Sequence, residues 1–175
     1  MDLAGYTVSD AIVLPERTDY GIGIIGCGGI VNYAHLPAYR RAGFHVVACY
    51  DQSQEAARRT AQEHGIPQVA ASVAEVLANP EIAIVDIAVT PWAQAAIARE
   101  AIGAGKHVLC QKPLADTYAS AVEVVDLAHA RGLKLAVNQQ MRWEPGIAAA
   151  LLAQSVTSDP QRRGDGDPAH RAAAD

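Results

Sequence analysis

Two groups of residues have the types and spacing to do chemistry: the glycines between 21 and 29, and Asp51. The glycines offer two overlapping patterns. Gly21-Ile22-Gly23-Ile24-Ile25-Gly26 satisfies G-x-G-x-x-G in full, whereas Gly26-Cys27-Gly28-Gly29-Ile30-Val31 satisfies only its first two glycines. A phosphate-binding loop must follow a strand and open a helix. The first register would need the polar, proline-led residues 15–20 as its strand; the second has Gly-Ile-Gly-Ile-Ile. The second register is preferred on that ground. In it Gly26 makes the tight turn, Gly28 lets the backbone approach a pyrophosphate, and Val31 replaces the third glycine. Gly29 and Ile30 lead into the helix whose N-terminus would face the phosphates.

Asp51 lies 25 residues after Gly26, at the end of the next apolar run. A carboxylate there accepts hydrogen bonds from an adenine-ribose diol, and it repels a 2′-phosphate. The pair predicts NAD over NADP, with Arg58 or Arg59 able to soften that preference. Taken singly, the glycines also fit an ordinary strand-to-helix turn, and Asp51 a strand-end turn residue. Other motifs fail. Around Ala104-Gly105-Lys106-His107 a P-loop would need glycine at Glu100 and Ser or Thr at His107, and no serine sits in G-x-S-x-G. The six histidines show no ligand spacing, so no metal site is expected and each reads as a surface or packing residue.

The elements that must position these residues alternate short apolar runs with longer alanine-rich amphipathic stretches, a βαβ rhythm. Strands are predicted over 21–26, 45–50, 68–70, 82–89, 107–111 and 133–138. Ser53 caps a helix reaching His64, with Gly65 to end it. Ser72 and Glu75 form a capping box for a helix ending near Ala78. Two more helices run over about 93–104 and 117–131, closed by Gly105 and Gly132. The crossovers predict an α/β, doubly wound, mainly parallel six-stranded sheet.

With 175 residues, the chain has room for one full domain. Hydrophobic residues are 50%, charged residues 19%, and the formal net charge is −5 with no basic run, which fits a folded core and argues against nucleic acid as a partner. Cys27, Cys49 and Cys110 lack paired spacing and read as buried thiols. No secretory leader or membrane span is read, so a soluble cytoplasmic protein is expected.

Gly105-Lys106-His107-Val108-Leu109-Cys110-Gln111-Lys112-Pro113 strongly resembles the G-K-H-V-x-x-E-K-P signature of the glucose-fructose oxidoreductase, inositol dehydrogenase and rhizopine-catabolism (Gfo/Idh/MocA) family. His35-Leu36-Pro37-Ala38, Thr90-Pro91 and the 137–145 segment, Val-Asn-Gln-Gln-Met-Arg-Trp-Glu-Pro, match it in the same order. The resemblance implies a Rossmann domain that binds NAD(P) and transfers hydride to or from a sugar-like or polyol CH–OH group. It implies Lys112 as the catalytic lysine, Thr90, Pro91 and Trp92 along the cofactor, Gln111 near the nicotinamide ribose, and Asn138 at the ligand-facing end of the last strand. An ammonium suits hydrogen bonding to a substrate oxygen, and partial burial is expected to tune it for proton transfer.

Two departures stand out: Gln111 where the family has glutamate, and Gln94 near a position where many members have histidine. A third concerns extent. The expected layout is an extension over 1–19, the dinucleotide domain over 20–144, the start of an interdomain helix over 145–157 (a helix over 145–154), and a disordered tail over 158–175. The family's C-terminal α+β domain is expected to be absent from this truncated chain, leaving either an oxidoreductase or an NAD(P)-binding module without turnover of its own. Uncovered apolar surface would then favour self-association.

Overall fold

A computed structural model of the protein describes residues 15–144, together with Asp2–Leu3, Tyr6–Thr7 and Ile147. Apart from Ile147, the expected helix over 145–154 and the tail over 158–175 lie outside the described residues. Two units are distinguished. One, drawn from both chain ends, contains Asp2–Leu3 paired antiparallel with Tyr6–Thr7 and a 3₁₀ turn over Gln140–Trp143. The other, Leu14–Gln139, carries the sheet.

That sheet has six strands: β1 (Gly21–Ile25), β2 (His45–Tyr50), β3 (Gln68–Val69), β4 (Ile82–Ile87), β5 (His107–Gln111) and β6 (Leu135–Asn138). All pairings are parallel, in the order β3-β2-β1-β4-β5-β6. The order reverses between β1 and β4, and in doubly wound sheets ligands bind outside the carboxyl ends of the strands at that switch point.

The helices are α1 (Leu36–Ala42), α2 (Gln54–His64), α3 (Val73–Ala78), α4 (Pro91–Gly103) and α5 (Tyr118–Ala130). Local chemistry sets their ends, at Ser53, Ser72 and Gly65 as expected and at Thr117 as a further cap. Ser53 Oγ accepts from Ala56 N, Ser72 Oγ from Glu75 N and Thr117 Oγ1 from Ser120 N. Gly65 ends α2 at φ 70°. The Ser72 box is modified: the Glu75 carboxylate reaches back to Ala71 N rather than to the cap residue.

Each face of the sheet has its own core. Ile22, Ile24 and Cys49 pack with Val31, Leu36, Ala57 and Ala61 on the α1–α2 side. Ile25, Val85, Ile87 and Val108 pack with Val76, Ala98, Ile102 and Val124 on the α3–α5 side. Alanines at the helix contacts let α4 and α5 lie close on the strands, which explains their weak amphipathic pattern.

Candidate functional site

Four of the glycines do three kinds of work. A Cβ on Gly21 would meet Glu81 O at 2.0 Å, and one on Gly23 would meet Val76 and Ile82 side chains at 2.7 and 2.9 Å, so these two serve close packing inside β1. Gly26 has φ +98° and its Cβ would lie 2.3 Å from Ala88 O, which makes it the obligatory turn. A Cβ on Gly28 would meet nothing within 4 Å, leaving open space beside the backbone. The strand-then-loop register read from the sequence is the one the chain adopts.

The loop is tied down from two sides. Asn32 Nδ2 donates to the carbonyls of Cys27 and Gly28, both at 2.9 Å. Asp51 Oδ2 accepts from Cys27 N and its Oδ1 from Ser53 N, both at 2.8 Å. Each carboxylate oxygen keeps a lone pair for a ligand. Asp51 therefore couples the end of β2 to the glycine loop, and Asn32, unremarked in the sequence, closes that loop. A cleft of about 390 Å³ opens here, lined by Gly26, Gly28, Asp51, Val73, Thr90 and Ile97 among others. Thr90 starts α4 without spending its hydroxyl on a cap bond, Pro91 supplies the N-terminal position that needs no N–H, and Trp92 is exposed. Gly29 is exposed, and Ile30 is half-buried against the α1–α2 core.

The other site residues form a second cluster, at the carboxyl ends of β5 and β6. Gln111 and Asn138 are paired across the two strands. Gln111 is buried, and its Oε1 accepts from Lys112 N at 2.8 Å. Its Nε2 lies 3.3 Å from His35 Nε2, and Asn138 Nδ2 lies 3.2 Å from the same nitrogen. His35 Nδ1 and Tyr39 Oη both sit 2.7 Å from Asp86 Oδ2. Burial, with Asp86 adding to it, holds the Tyr39 phenol far above its ordinary range, so it remains a donor.

His35 is the residue the sequence reading misplaced: it is neither a surface group nor a plain packing group but the centre of this network. Its placement depends on a π-helical turn, Val31–His35, leading into α1. Pro37 has no N–H to donate, and the wider turn there lets Leu36 N reach Val31 O.

Lys112 is exposed, so the partial burial expected for it is not provided by the described residues. Its loop is anchored by Gln94, 1% exposed, whose Nε2 donates to the carbonyls of Gln111 and Pro113 and, at 3.3 Å, to that of Leu114. The unexpected glutamine thus latches the segment carrying Lys112. Lys106 and His107 of the same signature support the fold. Lys106 Nζ donates to Asn79 O and Ile82 O, and His107 Nδ1 accepts from Lys134 N.

The three cysteines are free and buried. Hydrogen bonding with Cys49 and burial push the Cys27 thiol well up, while the Cys49 thiol is lowered by its bond with Cys27. Burial, reinforced by Asp86, pushes Cys110 up to about 12. Among the described residues no group of His, Cys, Asp and Glu is placed to hold a metal, and no helix is long and apolar enough to cross a membrane.

Comparison with known proteins supplies the family. The model of the Gfo/Idh/MocA oxidoreductase family, NAD-binding Rossmann fold, matches residues 20–139. D-apiose dehydrogenase of Paraburkholderia graminis is 35% identical over 127 residues, 72% of this chain and 34% of the relative. The solved myo-inositol dehydrogenase of Lactobacillus casei, in complex with NAD(H) and myo-inositol, superposes with a TM-score of 0.73 at 26% identity, covering 79% of this chain and 42% of that one. A 3-ketoreductase from Actinomadura kijaniata, in complex with TDP-benzene and NADP, gives 0.69 at 28% identity, covering 78% and 44%. The chain thus spans roughly two fifths of these relatives' length or less. A family-model match over residues 20–139, which takes in the glycine loop at the sheet's switch point, places the chain in the Gfo/Idh/MocA oxidoreductase family, with that family's NAD-binding Rossmann domain.

Proposed function

We propose that residues 20–144 form the dinucleotide-binding part of an oxidoreductase that transfers hydride to or from a sugar-like or polyol CH–OH group. The observation that carries this is the cleft at the switch point: a glycine with open space beside it, a strand-end carboxylate and an unspent threonine hydroxyl line one cavity. That chemistry fits a nicotinamide dinucleotide, with Gly28, Gly29 and Ile30 at the pyrophosphate, Asp51 at the adenine ribose, and Thr90, Pro91 and Trp92 along the chain between. Asp51 favours NAD over NADP, since two like charges would otherwise meet. The relatives' substrates, D-apiose and myo-inositol, support the CH–OH class.

When bound, the nicotinamide supplies the hydride acceptor or donor. Lys112 sits at the strand end where a reacting oxygen would lie. As an ammonium it donates to a carbonyl oxygen in reduction; as an amine it takes the hydroxyl proton in oxidation. Gln111 holds the Lys112 backbone, and Asn138 flanks it. The exposure of Lys112 favours a second reading, that these residues alone bind cofactor without turnover, because hydride transfer requires a site closed to water. Three buried thiols fit a reducing compartment such as the cytoplasm, and the exposed Tyr118, Val122 and Val125 of α5 fit self-association.

NADH titration by fluorescence, paired with an assay over sugars and inositols, tests both readings. Binding with turnover supports the enzyme and binding alone the module; no binding refutes the proposal. Asp51→Ala is expected to weaken NADH about tenfold and narrow the gap to NADPH; an unchanged preference would show the ribose contact to be elsewhere.

A further inference from the structure

The amide of Gln111 has only one orientation open to it. Lys112 N donates to Oε1, so the NH₂ group must be the end that faces His35 Nε2. Two N–H donors cannot share that line, so Nε2 carries a lone pair and the ring proton sits on Nδ1, pointing at Asp86 Oδ2. Asp86 is fully buried, and its Oδ1 has no partner among the described residues, so its acceptor strength is concentrated on the oxygen that His35 and Tyr39 share. A lone pair on His35 Nε2 also dictates the second amide. Asn138 must turn its NH₂ toward that nitrogen and share its lone pair with Gln111, which leaves its own carbonyl oxygen, on a half-exposed residue, as the end not engaged by His35.

We propose that His35 is a positioning residue: held in its Nδ1–H form by Asp86, it orients Gln111 and Asn138 so that Asn138 offers a hydrogen-bond acceptor to the carboxamide N–H of a bound nicotinamide. The last step rests on the proposed dinucleotide site; the first does not. Glutamate at position 111 would reverse the demand on the histidine. A carboxylate against Nε2 requires a proton there, giving a doubly protonated ring between two carboxylates, with the same total charge in the cluster. His35 thus accommodates either residue of the family signature by changing its own protonation.

The test begins on the full chain without ligand. Long-range ¹H–¹⁵N spectra of the imidazoles, with His35 assigned, are expected to show the neutral Nδ1–H form; an Nε2–H form or a doubly protonated ring at neutral pH overturns the proposal. Gln111→Glu is expected to convert that signal to the doubly protonated form, and an unchanged spectrum overturns the link between the two residues. In binding, the chain is expected to take NAD about tenfold more tightly than the 3-acetylpyridine analogue, which lacks the carboxamide N–H. His35→Leu should erase that preference and His35→Gln, which keeps an acceptor, should retain part of it; full retention by His35→Leu refutes the positioning role. If the wild-type chain binds neither dinucleotide, the functional reading fails, and the ligand-free spectra still decide the role of His35.

Discussion

Replacing Gln94 tests whether one buried amide holds the segment that carries Lys112. Its Nε2 serves the carbonyls of Gln111 and Pro113 while its Oε1 is buried without a partner among the described residues. Gln94→Ala strips donors from two carbonyls, at about 1–3 kcal/mol each if nothing replaces them. Against this stand removal of the orphaned Oε1, worth about 1 kcal/mol, and a few tenths from better helix propensity. A net loss of about 3 kcal/mol follows. Urea unfolding followed by circular dichroism reads it as a midpoint shift of about 1–3 M, since m is about 1–3 kcal/mol/M for a domain of this size. Gln94→Leu separates the causes: it loses the same donors but fills the space, so it should cost less than Gln94→Ala by the packing difference and still more than about 1 kcal/mol. A loss below about 0.5 kcal/mol in both variants would refute the latch.

Three further outcomes follow from the same geometry. Gly26→Ala forces a Cβ against Ala88 O at a positive φ and should cost more than about 2 kcal/mol of stability by urea unfolding, together with most NADH affinity, whereas Gly28→Ala should spare stability and lower affinity alone. Lys106→Met removes an ammonium that serves the carbonyls of Asn79 and Ile82, and should destabilise by about 1–3 kcal/mol without changing NADH affinity in the variant that still folds. On the alkaline side, Cys110 is raised from 9.0 to about 12, so the folded state holds its proton more tightly than the unfolded chain does. That contribution is complete below pH 9 and is lost as pH rises toward 12; the thermal midpoint should fall across that range, and less steeply in Cys110→Ala.

Much of the fold was legible because local chemistry and periodicity agreed. Ser53 and Ser72 cap where their spacing places them, and β2 and β5 have the bounds their apolar runs set. The strand over 82–89 ends two residues earlier than its apolar content, at Ile87, and the strand over 133–138 begins two residues later, at Leu135. The glycine register was legible for a physical reason as well: only one choice leaves an apolar strand in front of the loop. What stayed hidden were pairings between residues far apart in the chain. His35 and Asp86 are 51 positions apart and His35 and Asn138 are 103 apart, and neither spacing carries a periodic signal. Asp86 stands inside an otherwise apolar strand, and a fully buried carboxylate there is a sign that donors must be nearby. Gln94 read as a departure from a family pattern, when its position on the buried face of α4 already required its amide to find partners.

The two halves of the site differ in what secures them. The cleft between β1 and β4 is fixed mostly by backbone, a positive-φ glycine, strand ends in register and two helix starts, with the Asn32 and Asp51 side chains tying the loop in place. The strand-end half at β5 and β6 depends on side-chain amides whose orientations are set in sequence, Lys112 N to Gln111 to His35 to Asn138, with Gln94 fixing the loop behind them. Substitutions in the first half should therefore act on dinucleotide affinity and, at Asp51, on the choice between NAD and NADP, without changing which nicotinamide-ring analogues are accepted. Those in the second should change which nicotinamide-ring analogues are accepted while leaving the adenine-side affinity in place. A variant series scored against NAD, its 3-acetylpyridine analogue and ADP-ribose separates the two, because ADP-ribose reports the cleft alone. If His35 and Gln94 variants weakened ADP-ribose as much as NAD, the division of the site into a backbone half and a side-chain half would be wrong.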